Sequence, residues 1–102
     1  MSKDEQAKAK PQWDLLPWGA LEQVVRAFES GNEKYAKHDW AKGYPWSMYF
    51  NAAMRHMVAW LAGRDKDEDS GLHPLAHAAA SILILLEFTR RRRGTDDRPP
   101  HD

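Results

Sequence analysis

Four charged residues recur along the first strongly periodic segment at spacings that place them on one helix face. They are Glu22, Arg26, Glu29 and Glu33, and at 100° per residue they fall within about 60° of one another. Hard cations such as Mg²⁺ prefer oxygen ligands, so these carboxylates could hold a divalent cation. The same spacing is also typical of a solvated helix face with an ordinary Glu22–Arg26 ion pair worth roughly 0.2–0.5 kcal/mol. Spacing alone leaves both interpretations open.

A second acidic cluster, RDKDEDSG, separates two helical patterns and contains Asp65, Asp67, Glu68 and Asp69. Its carboxylates could belong to a metal site. Alternatively, they precede a helix whose dipole favours negative charge, with Ser70 or Asp69 as its N-cap. The 12-residue ligand pattern of a calcium loop is absent.

Three histidines are candidates for metal or proton chemistry. His73 and His77 are spaced i, i+4, and His56 follows Arg55. A His-x-x-x-His pair can bind zinc, but Pro74 stands where a metalloprotease helix has its glutamate. A buried His77, hydrogen-bonded to a carbonyl or a carboxylate, is the alternative to a metal ligand.

Aromatic residues are abundant, with five tryptophans and three tyrosines. Most of them fit core or interface area. Trp40 and Trp46 lie in a loop near Lys34 and Lys37, where they could instead stack on a base while the lysines contact phosphates.

Three helical patterns must position these residues. The spacing of Leu21, Val24, Val25 and Phe28 predicts the first helix. Gly31 could end it, but we expect it to continue to Tyr35. The third helix is apolar nearly all round, which is typical of a central helix. The sequence therefore predicts an all-α, three-helix unit over residues 17–35, 47–62 (N-cap Ser47, stop Gly63) and about 72–91.

The charge distribution predicts an acidic domain with basic ends. Fifteen basic residues balance fifteen acidic ones overall, but residues 13–89 carry seven basic and ten acidic residues. Residues 1–12 are predicted to be a disordered leader and residues 90–102 a basic, disordered tail. Zero net charge argues against a protein that coats nucleic acid, and residues 90–93 (RRRR) are the only patch that resembles a nucleic-acid site.

Composition excludes further classes. The chain has no cysteine, which removes disulfides, thiol catalysis and cysteine-ligated zinc. It has neither a signal-peptide pattern nor the roughly 20 apolar residues that span a membrane. We expect a cytoplasmic protein without a membrane partner. Because a domain this small buries a modest core, we also expect a homodimer or a higher homo-oligomer.

The segments together resemble the dATP/dGTP diphosphohydrolase N-terminal family of phages and bacteria, which is similar to MazG-like all-α nucleoside triphosphate pyrophosphohydrolases. The resemblance covers residues 13–89. Its motifs are G-x-E-K-Y at residues 31–35 with Trp40, R-H at residues 55–56, and G-x-D-x-D-x-D-S-G-L at residues 63–72 followed by His77. The chain departs from the family at Pro74, where a first histidine is usual, with His73 one place earlier.

The resemblance implies hydrolysis of dATP or dGTP to monophosphate and pyrophosphate with Mg²⁺ or Mn²⁺. It also implies a MazG-like bundle completed by oligomerisation and, for a phage protein, the bacterial host cytoplasm. The alternative is a catalytically degenerate helical module that binds a nucleotide or a protein, which Pro74 favours. The expected site comprises metal ligands Glu22, Glu33, Asp67 and Asp69, catalytic residues His56, His77, Lys34 and Arg55, and substrate-binding residues Tyr35, Trp40 and Trp46.

Overall fold

The computed structural model describes residues 2–100 and confirms the all-α fold class. Within that range no β-strand forms, although Pro45 and Thr95 make one isolated β-bridge. No helix among the described residues is long and apolar enough to cross a membrane. Residues 2–100 form four α-helices, with short 3₁₀ turns at Trp13–Leu15 and Asp39–Lys42: α1 (Lys3–Lys8), α2 (Trp18–Gly31), α3 (Trp46–Leu61) and α4 (Pro74–Arg91).

Helix α4 is the central element, as its nearly continuous apolar surface predicts. It packs against both α2 and α3. One buried cluster joins Ala27 of α2 to Ala76 and Ala80 of α4. The other cluster contains Trp46 of α3 with Ile84 and Phe88. Phe88 is fully buried, and its ring meets Tyr49 edge-on at 5.5 Å, a favourable aromatic geometry.

The prediction that the first helix continues to Tyr35 is wrong, because α2 ends at Gly31. Beyond it the backbone closes tight turns in which Lys34 and Tyr35 both donate to the Gly31 carbonyl. Glycine and asparagine are weak helix formers, so Gly31 and Asn32 end the helix. Glu33 consequently lies outside the helix that carries Glu22.

The prediction of Ser47 as the N-cap of α3 is also wrong. The helix begins at Trp46 with Pro45 as its N-cap. Ser47 lies inside the first turn, where its backbone N–H donates to Asp97 at 2.9 Å and its hydroxyl also donates to the Asp97 carboxylate. The far end agrees with expectation, since α3 stops at Leu61 and Gly63 has φ +101°.

The C-terminal segment differs from the expected disordered tail. Arg90 and Arg91 belong to α4, and the chain then runs back to α3. The Trp46 indole Nε1 donates to the Arg93 carbonyl at 2.7 Å, Trp46 N donates to Thr95 O at 2.9 Å, and the Arg98 guanidinium lies 5.1 Å from the Trp46 ring centroid. We call residues 92–98 the strap. Residues 101 and 102 lie outside the described range.

Two glycines allow the strap to approach the loop before α3. A Cβ on Gly43 would lie 2.7 Å from the Gly94 backbone nitrogen, and a Cβ on Gly94 would collide with the Tyr44 carbonyl. Both glycines also have positive φ, a conformation that other residues rarely adopt. At the other end of the chain, α1 lies within the predicted leader and has no buried residue.

Candidate functional site

A groove runs along one side of α4, between that helix, α2 and the loop that follows α2. Its volume is about 490 Å³, within the range typical of small-molecule sites. The floor is formed by His77, Ala80, Ser81 and Ile84 of α4. Other lining residues include Phe28 on the α2 wall and Asn32, Tyr35, Lys37 and Trp40 on the loop.

A hydrogen-bonded chain of three side chains ends at the groove. His77 Nε2 lies 2.6 Å from Ser70 Oγ, and the Ser70 hydroxyl donates to Asp67 Oδ2 at 3.2 Å. Leu72 N also donates to Ser70 Oγ at 3.1 Å. With its proton directed to the carboxylate, Ser70 accepts from Leu72 N and from His77 Nε2–H. This arrangement assigns the His77 tautomer that leaves Nδ1 as an acceptor.

The turn between α3 and α4 keeps Asp67 ionised. Asp67 Oδ2 accepts from the backbone N–H groups of Ser70 at 3.0 Å and Asp69 at 3.1 Å. The Ser70 backbone bond is the main reason why the pKa of Asp67 lies below its usual value, because hydrogen bonds to a carboxylate favour its charged form. The acidic turn therefore organises its own backbone and, through Ser70, the orientation of His77.

His56 of α3 lies parallel to His77. The two ring centroids are 4.9 Å apart and the ring planes differ by 21°. Burial lowers the pKa of His56, and the neighbouring His77 lowers it further, because both effects disfavour the charged form of the His56 imidazole. The pair connects α3 to α4 beside the groove.

This pKa shift predicts a pH-dependent stability. The unfolded chain takes up a proton on His56 near its ordinary pKa of 6.5, whereas the folded chain does so only at lower pH. The free energy of unfolding is therefore expected to fall as pH drops below about 6.5, down to the folded-state pKa. Urea unfolding between pH 7.5 and 5 measures how steeply the free energy of unfolding changes with pH. His56→Gln should reduce this slope. Asn51→Ala, which changes an exposed residue of α3 without a titratable group, should leave the slope unchanged. An equal reduction in this control would contradict the assignment to His56.

The structure brings together several residues that the sequence singled out. His56, His77 and Asp67 form one cluster, and Tyr35 and Trp40 line the groove next to it. Lys34 Nζ lies 4.0 Å from Asp69 Oδ2, so the loop after α2 approaches the acidic turn. The positive charge of Arg55, an exposed residue, contributes to the low pKa of His56.

Other predicted residues lie elsewhere. Trp46, which the sequence predicts to stack on a base, is 5% exposed and packs in the core. Glu22 is exposed, and Arg26 contacts both Glu22 at 3.6 Å and Glu29 at 3.0 Å. This geometry agrees with the solvated-face interpretation of the α2 carboxylates.

The carboxylates expected to bind a metal do not gather into a group of three in the part of the chain that the structure describes. In residues 2–100 no three histidine, aspartate or glutamate side chains are grouped so that they could hold a metal ion. Asp67 also uses one oxygen for its own turn. The described residues of one chain therefore do not fit a resident cation.

Sequence reasoning missed two serines. The sequence predicts Ser70 as a helix cap and as part of the motif at residues 63–72, but not as the partner of His77, although its seven-residue spacing from His77 is compatible with the contact that forms. Ser81 lies four residues after His77, so the helical period placed it on the same face, but a serine inside an apolar run carries no signal of its own.

Comparison with known proteins identifies the family. The family model described as dATP/dGTP diphosphohydrolase, N-terminal, matches residues 1–98. The chain belongs to this family. The resemblance inferred from the sequence motifs is therefore confirmed, and the match includes the strap.

A curated relative of this dATP/dGTP diphosphohydrolase N-terminal domain is the dATP/dGTP diphosphohydrolase of Salmonella phage PMBT28. It is 31% identical over 77 residues, which are 76% of this chain and 26% of the relative. The chain thus spans about a quarter of that relative. No solved structure matches the chain.

Proposed function

We propose that this domain binds a purine deoxynucleoside triphosphate in the groove and hydrolyses the bond between its α- and β-phosphoryl groups, releasing monophosphate and pyrophosphate. The observation that carries the proposal is the Asp67–Ser70–His77 chain, which ends at a groove large enough for a nucleotide. Family membership and the name of the phage relative support this substrate class.

The chemical role of the chain follows from its hydrogen bonds. Ionised Asp67 holds the Ser70 hydroxyl proton, and Ser70 holds His77 Nε2–H. Neutral His77 can then accept a proton on Nδ1 from a water molecule whose oxygen bonds to phosphorus as pyrophosphate leaves. General base catalysis of this kind contributes roughly 10²–10⁴-fold. His56 is a neutral neighbour that the low pKa keeps uncharged at pH 7.

Other residues of the site bind the substrate in this proposal. Tyr35 and Trp40 offer aromatic surface for the base, which stacks well on such side chains. Lys34 is exposed near the acidic turn and can contact phosphate oxygens, as can Arg55 next to His56. The proposed site thus keeps four of the residues predicted from the sequence and leaves out Trp46. The four are Lys34, Tyr35, Trp40 and Arg55.

We further propose that Mg²⁺ or Mn²⁺ enters as the metal complex of the triphosphate, because residues 2–100 of one chain do not assemble a resident site. A metal bound to phosphate oxygens neutralises charge during phosphoryl transfer. Asp67 and Asp69, on one turn, are the expected carboxylates that face this complex.

The expected homo-oligomer stays a prediction. Exposed apolar residues recur on one face of α3 and on one face of α4, which a second copy could cover. The α3 residues are Phe50, Met54, Met57, Val58 and Leu61, and the α4 residues are Leu75, Ile82, Leu83 and Leu86.

The decisive measurement is pyrophosphate release from a panel of the four dNTPs and the four NTPs. We expect release from dATP or dGTP with Mg²⁺ or Mn²⁺, and none when EDTA is in excess. Trp40→Ala should raise KM by about 10-fold through lost stacking, which is worth roughly 1–3 kcal/mol per base. Trp60→Ala removes an exposed tryptophan outside the groove lining and is the matched control.

No product from any nucleotide would refute hydrolysis by this chain. The second candidate function is then a nucleotide-binding module without turnover. Its support is that the described residues do not gather three metal-binding side chains. It predicts that dATP raises Tm without being consumed, because a ligand that binds the folded state stabilises it.

A further inference from the structure

Ser81 has an unusual environment on the groove floor. It is the one buried polar residue among the described residues, at 9% exposure, and no hydrogen bond to its hydroxyl occurs within residues 2–100. No described side-chain oxygen is both unpaired and fully shielded, so the Ser81 oxygen keeps access to the groove that the residue lines. Because this hydroxyl has no protein partner and faces the groove, a ligand bound there could hydrogen-bond to it.

The position of Ser81 along α4 indicates which part of a nucleotide would reach it. His77, at the polar end of the floor, lies one turn before Ser81, a rise of about 6 Å. Ile84 lies nearly one turn after it and belongs to the cluster against which Trp40 and Tyr49 pack. A nucleotide whose phosphates lie at His77 and whose base lies at this aromatic end places its sugar beside Ser81.

We propose that the Ser81 hydroxyl binds the sugar of the nucleotide through its 3′-hydroxyl group. The inference rests on the proposed function, since it takes the groove as a nucleotide site. The sugar of a deoxynucleoside triphosphate carries one free hydroxyl, at the 3′ position, and a serine hydroxyl can both donate to it and accept from it. The floor residues beside it, Ala80 and Ile84, have apolar side chains. Ser81 thus makes the site sensitive to the sugar as well as to the base.

The test is a thermodynamic cycle that removes the Ser81 hydroxyl, the 3′-hydroxyl of the ligand, or both. Two dATP analogues with an NH group between the α- and β-phosphoryl groups, one with and one without the 3′-hydroxyl, are titrated calorimetrically with Mg²⁺ into the wild type and Ser81→Ala. We expect the wild type to bind the 3′-deoxy analogue about 5- to 10-fold more weakly. Ser81→Ala should bind both analogues with that weaker affinity. Ser30→Ala, a serine of α2 outside the groove lining, should behave as the wild type.

A second readout separates ligand binding from a structural role. Without ligand, Ser81→Ala introduces a better helix former at a position whose hydroxyl has no protein partner, so Tm is expected to rise by about 2–4 °C. A lower Tm with unchanged affinities would overturn the proposal and make Ser81 a packing residue. An unchanged 3′-hydroxyl preference in Ser81→Ala would also overturn it while leaving the proposed function intact. Binding of neither analogue by the wild type would refute both.

Discussion

His77→Ala is expected to lower kcat for pyrophosphate release by about 10²–10⁴-fold, the largest effect on activity of any single substitution proposed for this protein. The imidazole is the group at the groove that the Asp67–Ser70 pair orients, and alanine has no atom that accepts a proton. The affinity for a non-hydrolysable dATP analogue should change by no more than about 3-fold, because the aromatic surface and the lysines remain.

His73→Ala is the matched control. His73 lies four residues before His77, and its Nδ1 accepts from Leu75 N to cap α4. Loss of that cap is expected to cost about 1 kcal/mol of stability and to leave kcat within about 2-fold. The pair of variants also tests the departure at Pro74. If His73→Ala abolished turnover and His77→Ala did not, the histidine before the proline would be the base and the assignment of His77 would be wrong.

Ending the chain at Arg91 is expected to destabilise the fold by about 3 kcal/mol, with a fall in Tm of roughly 15 °C for a domain of this size. The truncation leaves the buried Trp46 indole N–H without its acceptor, which costs about 1–3 kcal/mol. It also removes the Asp97 carboxylate from the first turn of α3, a capping interaction worth about 1 kcal/mol, and the Arg98 contact with the Trp46 ring. Guanidinium unfolding monitored by tryptophan fluorescence measures the loss.

Two controls separate the strap from chain length. A chain that ends at Pro100 keeps all of these contacts and should match the full-length protein. Asp97→Asn keeps the shape of the side chain but removes its charge, so it should lose only a fraction of the truncation effect. A truncation at Arg91 that unfolds at the same denaturant concentration as the wild type would show that the strap contributes no stability.

Periodicity predicted α4 and its central place because a helix with apolar residues nearly all round has to be covered by others. It could not predict the contacts that set the helix ends. Ser47 has the residue type of an N-cap, but the side chain that satisfies the first turn of α3 is Asp97, 50 residues later. The disordered tail was predicted from composition. Composition alone does not show that the Trp46 indole needs the hydrogen-bond acceptor that Arg93 provides.

The candidate site shows the same division. The sequence singled out His56, His77 and Asp67 separately, and the family motif placed Ser70 between them, but which atoms meet depends on how the turn after α3 folds. The helix face with Glu22 and Glu33 was inferred from an uninterrupted helix, and its end at Gly31 separates the two. Sequence spacing predicts which residues share a face within one element, but the residues of the candidate site come from several elements.

The facing glycines at positions 43 and 94 have a consequence for mutational tolerance. Neither lies in the groove lining, but a side chain at either position needs the space that the opposing backbone occupies. Alanine at either site is therefore expected to give the phenotype of a missing strap, and combining both should add little to one alone. In a saturation mutagenesis experiment these two positions would rank with the groove residues as intolerant, because of occupied space and positive φ.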